Sequence, residues 1–139
     1  MAATIVQIMT GIRDRLATIP DLNVWDYAKD NPTVHAAFPL IPPITSYRET
    51  MGRGTYVIVV PVAVLVGAQV DQAGQHALAE YANQTGTRSI RAAIEGDKTL
   101  GGIVNDLVVD SFNPNGLEEV GLVGYYGGIF AVRVIASGV

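Results

Sequence analysis

Two histidines, His35 and His76, are the side chains best suited to proton transfer or metal binding near neutral pH. His76 lies four residues before Glu80 in a stretch with helical periodicity, so these two side chains would share a helix face. A zinc site needs three or four protein ligands, and the His-Glu-x-x-His motif does not occur in the sequence. The sequence therefore predicts a solvated surface pair at His76 and Glu80 rather than a metal site.

Asp106 and Asp110 form a second pair with catalytic potential, because two carboxylates can act as general acid and general base. They lie four residues apart in a predicted strand, which would place them on one strand face about 13 Å apart. The two carboxylates of a glycosidase are closer, at roughly 5 to 9.5 Å. We therefore expect both aspartates to face solvent.

Glycine loops and nucleophiles are the remaining signs of catalysis to consider. Gly52-Arg53-Gly54 precedes a predicted strand, whereas phosphate-binding loops lie between a strand and a helix N-terminus. The late glycine cluster is followed by no Lys-Ser/Thr pair, and the chain has no Gly-x-Ser-x-Gly turn and no cysteine. The sequence therefore predicts no enzymatic activity, no cofactor and no metal ion.

The composition favours a single domain over residues 1–139 with an excess of apolar surface. Hydrophobic residues make up 49% of the chain, charged residues only 16%, and the mean hydropathy is +0.29. Small proteins have much surface to cover, so this excess predicts burial of apolar surface in an assembly. The alternative is a well-filled core under an uncharged polar surface.

The charge balance argues against a nucleic-acid-binding protein. The net charge is −4 and no run of lysine or arginine occurs, whereas binding to phosphate backbones needs clustered positive charge. The longest apolar run is about twelve residues, which is shorter than the roughly 18 residues of a transmembrane helix. We therefore expect no membrane partner.

The stretch Thr55–Val66 is predicted to be the longest strand and the centre of the sheet. It is dominated by β-branched residues and is apolar on both faces, which is typical of a strand covered on both sides. One cover would be the chain's own helices and the other a second subunit. Pro61 cannot donate to a strand ladder, so it predicts a bulge or a free edge there. We expect this strand to pair with 103–112 or 129–136.

The other elements complete an α+β fold: a mostly antiparallel sheet with a long central strand, packed by two to three helices, with a projecting hairpin arm. Apolar residues at helical spacing predict a helix over 3–18, and Gly11 in it would permit a close backbone approach. Further helices are predicted at 71–83 and 89–95, and strands at 22–28, 36–38, 103–112 and 129–136. Residues 103–136 would form a long hairpin whose glycine-rich end near Leu117–Tyr125 projects as an arm. Two ordinary turns are the simpler alternative.

Several short sequence segments occur along this order of helices and strands. These are Val24-Trp-Asp-Tyr27, Met51-Gly-Arg-Gly54, Pro61-Val-Ala-Val-Leu-Val66, Ile94-Glu-Gly-Asp-Lys-Thr-Leu-Gly-Gly-Ile103, Glu119-Val-Gly121 and Phe130-Ala-Val-Arg-Val-Ile135. Over nearly its whole length the chain resembles the tail terminator (tail completion) proteins of long-tailed bacteriophages, especially those of actinobacterial phages.

The resemblance implies a structural virion protein without enzymatic activity. Its subunits would form a ring, most often a hexamer, that caps the finished tail tube at the tail-neck junction after assembly in the host cytoplasm. The implied partners are further copies of the chain, the tail tube protein and the head-tail connector or stopper protein. DNA would pass through the lumen without specific binding. The alternatives are a neighbouring neck (head-tail stopper) or tail-tube ring protein, a small ligand-binding or regulatory α+β domain, and an enzyme acting through His76.

Two groups of residues are the predicted contact and lumen positions. Arg48 and Arg53 lie in a polar loop between apolar segments and can pair with carboxylates of a neighbouring subunit or the tube. The remaining predicted contacts are on the arm: Leu117, Leu122 and Tyr125. A channel that passes DNA must not hold it, so acidic side chains are expected in the lumen. The candidate sets are Glu118 with Glu119, or Asp106 with Asp110.

Overall fold

The structure is a computed structural model that describes residues 5–19, 22–25, 35–42, 55–67, 72–102, 104–114 and 126–137. Within these ranges there are three helices and five strands. The helices are α1 (Ile5–Leu16), α2 (Gln72–Ala82) and α3 (Ile90–Glu95). The strands are β1 (Asn23–Val24), β2 (Ala36–Pro39), β3 (Thr55–Gly67), β4 (Asp106–Pro114) and β5 (Tyr126–Ser137).

The five strands form one sheet in the order β1-β2-β3-β5-β4. The β1–β2 pair is parallel, and the other three pairs are antiparallel. At 13 residues β3 is the longest strand described, and it pairs along its length with β5. These features confirm the predicted α+β class, the long central strand and its pairing with the segment 129–136.

The helices cover one face of the sheet, and this helix-facing side holds the main core. Ile58, Val60 and Val62 point into it from alternate positions of β3, and none is more than 2% exposed. The predicted stripe of α1 packs there as well, with Ile8, Ile12 and Leu16 fully buried. The spacing of 3 to 4 residues therefore identified the helix half of this core correctly, whereas β3 is apolar at both odd and even positions and only the structure shows which face meets the helices.

The second face of the sheet is also apolar, but it is buried only at one end. Phe38, Ala63 and Leu65 are fully buried there, whereas Val57 and Val59 are 36% and 41% exposed. The prediction that β3 is covered on both sides is therefore correct for one end of the strand. At the other end, the side opposite the helices is open.

Pro61 lies where the pairing of β3 with β2 stops. Pro39 is the last residue of β2 and pairs with Val62, and the next residue, Leu40, donates its backbone N–H to the Pro61 carbonyl at 2.7 Å. Because N–H and C=O of one strand residue point to the same side, the ring nitrogen of Pro61 faces this ending strand, where no ladder donor is needed. The structure thus selects the free edge, and not the bulge, from the two predicted alternatives.

Several predicted boundaries were wrong or fall outside the description. Of the strand predicted over 22–28, Asn23–Val24 is a strand within the described residues 22–25, and 26–28 lie outside the description. The strand predicted from 103 begins at Asp106. The third helix begins as predicted, because Ser89 accepts a hydrogen bond from the Ala92 N–H at 3.1 Å and so caps it. The projecting arm near Leu117–Tyr125 lies outside the described residues.

Candidate functional site

His76 and Glu80 are both exposed on α2, as predicted. The Glu80 carboxylate lies 3.4 Å from the Arg88 guanidinium, so its ion pair is formed with the loop after α2. Among the described residues no group of three histidine, aspartate or glutamate side chains is placed to hold a metal ion. None of the described helices is long and apolar enough to cross a membrane.

His35 is half-buried and lies directly before β2, where it contacts α2. Its Nδ1 lies 3.1 Å from the hydroxyl of Tyr81, and the two rings meet edge to face with centroids 5.9 Å apart. Tyr81 is fully buried, so its phenol needs polar partners inside the protein. His35 therefore links the start of β2 to α2, which is a structural role.

Asp106 and Asp110 do not share a strand face in the way the sequence suggested. The register of β4 against β5 shifts between Val109 and Ser111, so Asp110 is the extra residue of a β-bulge. Asp106 lies opposite Ile135, whereas Asp110 lines a cavity on the helix side together with Arg91. The four-residue spacing does not place Asp106 and Asp110 on one face, because the bulge interrupts the alternation of side chains along β4.

The remaining predicted contact and lumen residues cannot be placed. Arg48, Arg53, Leu117, Leu122, Tyr125, Glu118 and Glu119 lie outside the described residues. Their predicted contacts and the predicted acidic lumen stay predictions.

The loop after α3 contains most of the longest sequence segment that carries the resemblance, and its hydrogen bonds explain the residue types found there. Asp97 accepts hydrogen bonds through one carboxylate oxygen from the N–H and hydroxyl of Thr99, at 3.3 and 3.0 Å, and through the other from the Gly101 N–H at 2.9 Å. Leu100 and the two glycines after it have positive φ angles of 51°, 73° and 94°. This turn directs Leu100 onto α1, where a Cβ at Gly11 would lie only 3.1 Å from the Leu100 side chain. The close approach predicted at Gly11 is confirmed.

A surface cavity of about 420 Å³ lies between α1 and this loop. Its charged lining residues already have partners in the fold, because the Arg15 Nε donates to the Ala93 carbonyl at 2.9 Å and Asp97 organises its own loop. A small-molecule site needs a few convergent polar groups that are available to the ligand. The cavity therefore gives little support to a ligand-binding domain.

The Asp97 hydrogen bonds lead to a pH-dependent prediction. The hydrogen bond from the Thr99 hydroxyl is the main cause that lowers the pKa of Asp97, helped by the Gly101 and Thr99 N–H groups and by the nearby Arg15 charge. A lowered pKa in the folded state stabilises the fold above the unfolded value of about 3.9. This stabilisation disappears as the pH falls through the folded pKa.

We therefore expect Asp97→Asn to melt at a lower temperature than the wild type at pH 7. The difference should shrink as the pH falls below about 4, because the wild-type carboxyl is then protonated. Thermal melts of both proteins over this pH range measure the effect. The control is Asp110→Asn, at an exposed carboxylate, which should follow the wild type throughout. A constant difference between the Asp97→Asn variant and the wild type at all pH values would contradict the proposed role of the charge.

The open end of the second sheet face is the most distinctive surface among the described residues. We call it the open face and define it by Val57, Val59, Arg133, Ile135 and Val108, with the half-buried Asp106 at its end, opposite Ile135. In the sheet register Arg133 lies between Val59 on one side and Val108 on the other. The side chain of Arg133 is exposed, and in the described part of the chain it forms no ion pair.

Sequence reasoning did not single out Arg133 as a functional residue. The available signal was one charge at the centre of a strand face that is otherwise apolar, between Ala131 and Ile135. That signal gains meaning only once the neighbouring strands are known, because β3 and β4 place valines on both sides of the arginine.

The two outermost strands of the sheet, β1 and β4, are poorly suited to pairing with another strand. At one edge β1 is only two residues long. At the other, the Glu95 carboxylate accepts the backbone N–H of Val109 at 3.0 Å, and the bulge at Asp110 interrupts β4 directly afterwards. Short strands, bulges and charges are the usual means by which proteins block edge-to-edge association. Among the described residues, the stretch of the sheet without a partner strand on one side is 55–60 of β3, next to the open face.

Comparison with known proteins adds no family to these observations. No protein-family model matches the chain, and no curated protein matches it.

Proposed function

We propose that this protein is a structural virion protein that caps the completed tail tube of a long-tailed bacteriophage as a ring. The ring, a hexamer by the resemblance, offers the joining surface to the head-tail connector, and DNA passes through its lumen. The proposal is supported by the resemblance over nearly the whole chain and by its agreement with the α+β fold.

One structural observation carries the proposal, namely the open face of the sheet. A single copy leaves Val57 and Val59 more than a third exposed on a central strand, where the other end of the same face is fully buried. Contiguous apolar surface around a charged residue is typical of protein–protein contacts. An assembly protein buries such a surface against its partner, whereas in a monomeric protein the surface stays exposed to water.

The net charge of −4 supports the passage of DNA without retention. Positive walls would bind phosphates by releasing counterions, and that binding would depend strongly on salt. We expect the assembled ring to show no affinity for duplex DNA at physiological salt.

Electron microscopy of tail tubes mixed with the purified protein tests the proposal. We expect additional density as a ring at one end of each tube. Incorporation along the whole tube would favour the alternative of a tube protein, and binding only to connector complexes would favour a neck protein. The absence of any association with either would leave the proposal without support and favour an unrelated α+β domain.

A further inference from the structure

We propose that the open face is where one copy of this chain contacts the next, with Arg133 receiving a carboxylate from the neighbouring copy. The inference deepens the proposed function, since a ring requires contacts between copies. The contact can be refuted while the tail function stands, and the tail function can be refuted while the contact stands, because the contact concerns only one surface and one arginine. The occupant of the face is a second copy of this chain.

The first step is the apolar character of the face. Val57 and Val59 on β3 are 36% and 41% exposed, and half-buried Ile135 and Val108 continue the patch across β5 and β4. Covering exposed valines releases free energy in proportion to the apolar area removed from water. Beneath this patch β5 is paired on both sides, with β3 and with β4, so little backbone freedom is lost there on contact.

The second step is the charge at the centre of this patch. Arg133 is exposed with valines on both flanks, and no carboxylate of the described residues pairs with it. The other described arginines already have partners: Arg13 pairs with Asp14, Arg15 with the Ala93 carbonyl, Arg88 with Glu80 and Arg91 with Glu95. Arginine surrounded by apolar residues is a common centre of binding energy in interfaces, where its fork takes a carboxylate. Arg133 and the apolar residues around it therefore fit a partner surface that is apolar and carries a carboxylate.

A second copy of this chain can supply the carboxylate that pairs with Arg133. The chain has 13 acidic and nine basic side chains, so a neighbouring copy has more acidic groups than its own basic groups can neutralise. A second copy thus provides both apolar surface and unmatched carboxylates. Of the two outermost strands, β1 has only two residues and β4 is interrupted by its bulge, so neither is suited to pairing with a strand of a neighbouring copy.

Site-specific photo-crosslinking tests the contact. A benzophenone amino acid replaces Val59 in one variant and Val6 in a matched control, which is a valine 70% exposed on α1 in the helix layer. Each variant is irradiated as concentrated free protein and again after binding to tail tubes. We expect covalent dimers of the chain from position 59, at a yield roughly tenfold or more above that from position 6. Equal yields, or no dimers from position 59 in either sample, would overturn the proposal.

The role of Arg133 is tested by charge reversal in the same crosslinking background. Arg133→Glu should reduce the dimer yield from position 59 roughly tenfold, because it places a carboxylate against a carboxylate. The control is Lys98→Glu, which changes the net charge equally at an exposed lysine in the loop after α3 and should leave the yield unchanged. An unaltered yield with Arg133→Glu, at an unchanged melting temperature, would rule out the arginine as the centre of the contact.

The same samples separate this inference from the proposed function. Capped tubes without dimers from position 59 would refute the open face as the contact while the tail function stands. Dimers in the free protein without any capping of tubes would support the contact and refute the tail function.

Discussion

Replacing Val62 by aspartate should abolish folding of this protein. Val62 lies in the middle of β3, is fully buried, and is flanked in the sheet by Pro39 on β2 and Phe130 on β5. An aspartate there would lie in the apolar core beneath the helices without a hydrogen-bond donor or a cation. Such a change is expected to cost more than about 4 kcal/mol, a large part of the roughly 5 to 15 kcal/mol that keeps a domain folded.

The comparison for this experiment is Val59→Asp, three positions earlier in the same strand. Val59 is on the open face and 41% exposed, so an aspartate there stays in contact with water. Soluble yield, circular dichroism and thermal melting should show an insoluble or unfolded Val62→Asp variant and a folded Val59→Asp variant. A normal yield and melting temperature for Val62→Asp would contradict the assignment of the core face of β3.

The second large effect is expected for Gly127→Ala in β5. Opposite this glycine the register of β3 shifts between Leu65 and Gly67, and the β3 backbone is so close that a Cβ on residue 127 would overlap the Val64 carbonyl oxygen. A backbone carbonyl cannot move without disturbing the ladder between β3 and β5. We expect a loss of about 3 kcal/mol, at the upper end for overpacking, which lowers the melting temperature by roughly 10 °C.

The adjacent glycine provides a matched control. A Cβ on Gly128 would meet the far end of the Phe112 ring at 2.5 Å and the Asn113 carbonyl oxygen at 3.0 Å, and the ring borders a cavity of about 410 Å³. Because the ring can shift toward this space and the carbonyl contact is tight without overlap, Gly128→Ala should cost about 1 to 2 kcal/mol, less than Gly127→Ala. Equal melting temperatures for the two variants would show that the β3 backbone does not approach Gly127 as closely as described.

The elements that could be predicted from the sequence are those with a local repeating pattern. The apolar stripe of α1 and the continuous β-branched, apolar run of β3 are each readable within a dozen residues, because burial restricts residue types locally. The start of the helix predicted at 89–95 is equally local, since the Ser89 side chain that caps α3 bonds within its own helix. These parts were predicted correctly for that reason.

The features that the sequence could not provide depend on which strands become neighbours. The bulge at Asp110, which separates it from Asp106, becomes visible only when β4 is set against β5. The partnership of His35 with Tyr81 joins residues that are 46 positions apart. Arg133 likewise acquires its significance from Val59 and Val108 on two other strands.

The site as a whole was predicted less well than the fold, and the reason is physical. A catalytic site would have revealed itself through residue types at fixed spacing, whereas a contact surface consists of ordinary apolar and charged residues. Only their exposure and arrangement distinguish them from core and solvent-facing positions. The open face therefore had to be read from the sheet register and from the exposure of Val57 and Val59.

The most direct test of the central claim is whether the purified protein stops the growth of its cognate tail tube. Tube protein is polymerised with and without this chain, with an unrelated acidic protein of similar size as the control, and tube lengths and tube ends are recorded by electron microscopy over time. If this protein caps the tail tube, elongation ceases once the chain is added and each arrested tube has a ring at one end. Continued elongation at the control rate, with tube ends unchanged, would contradict it.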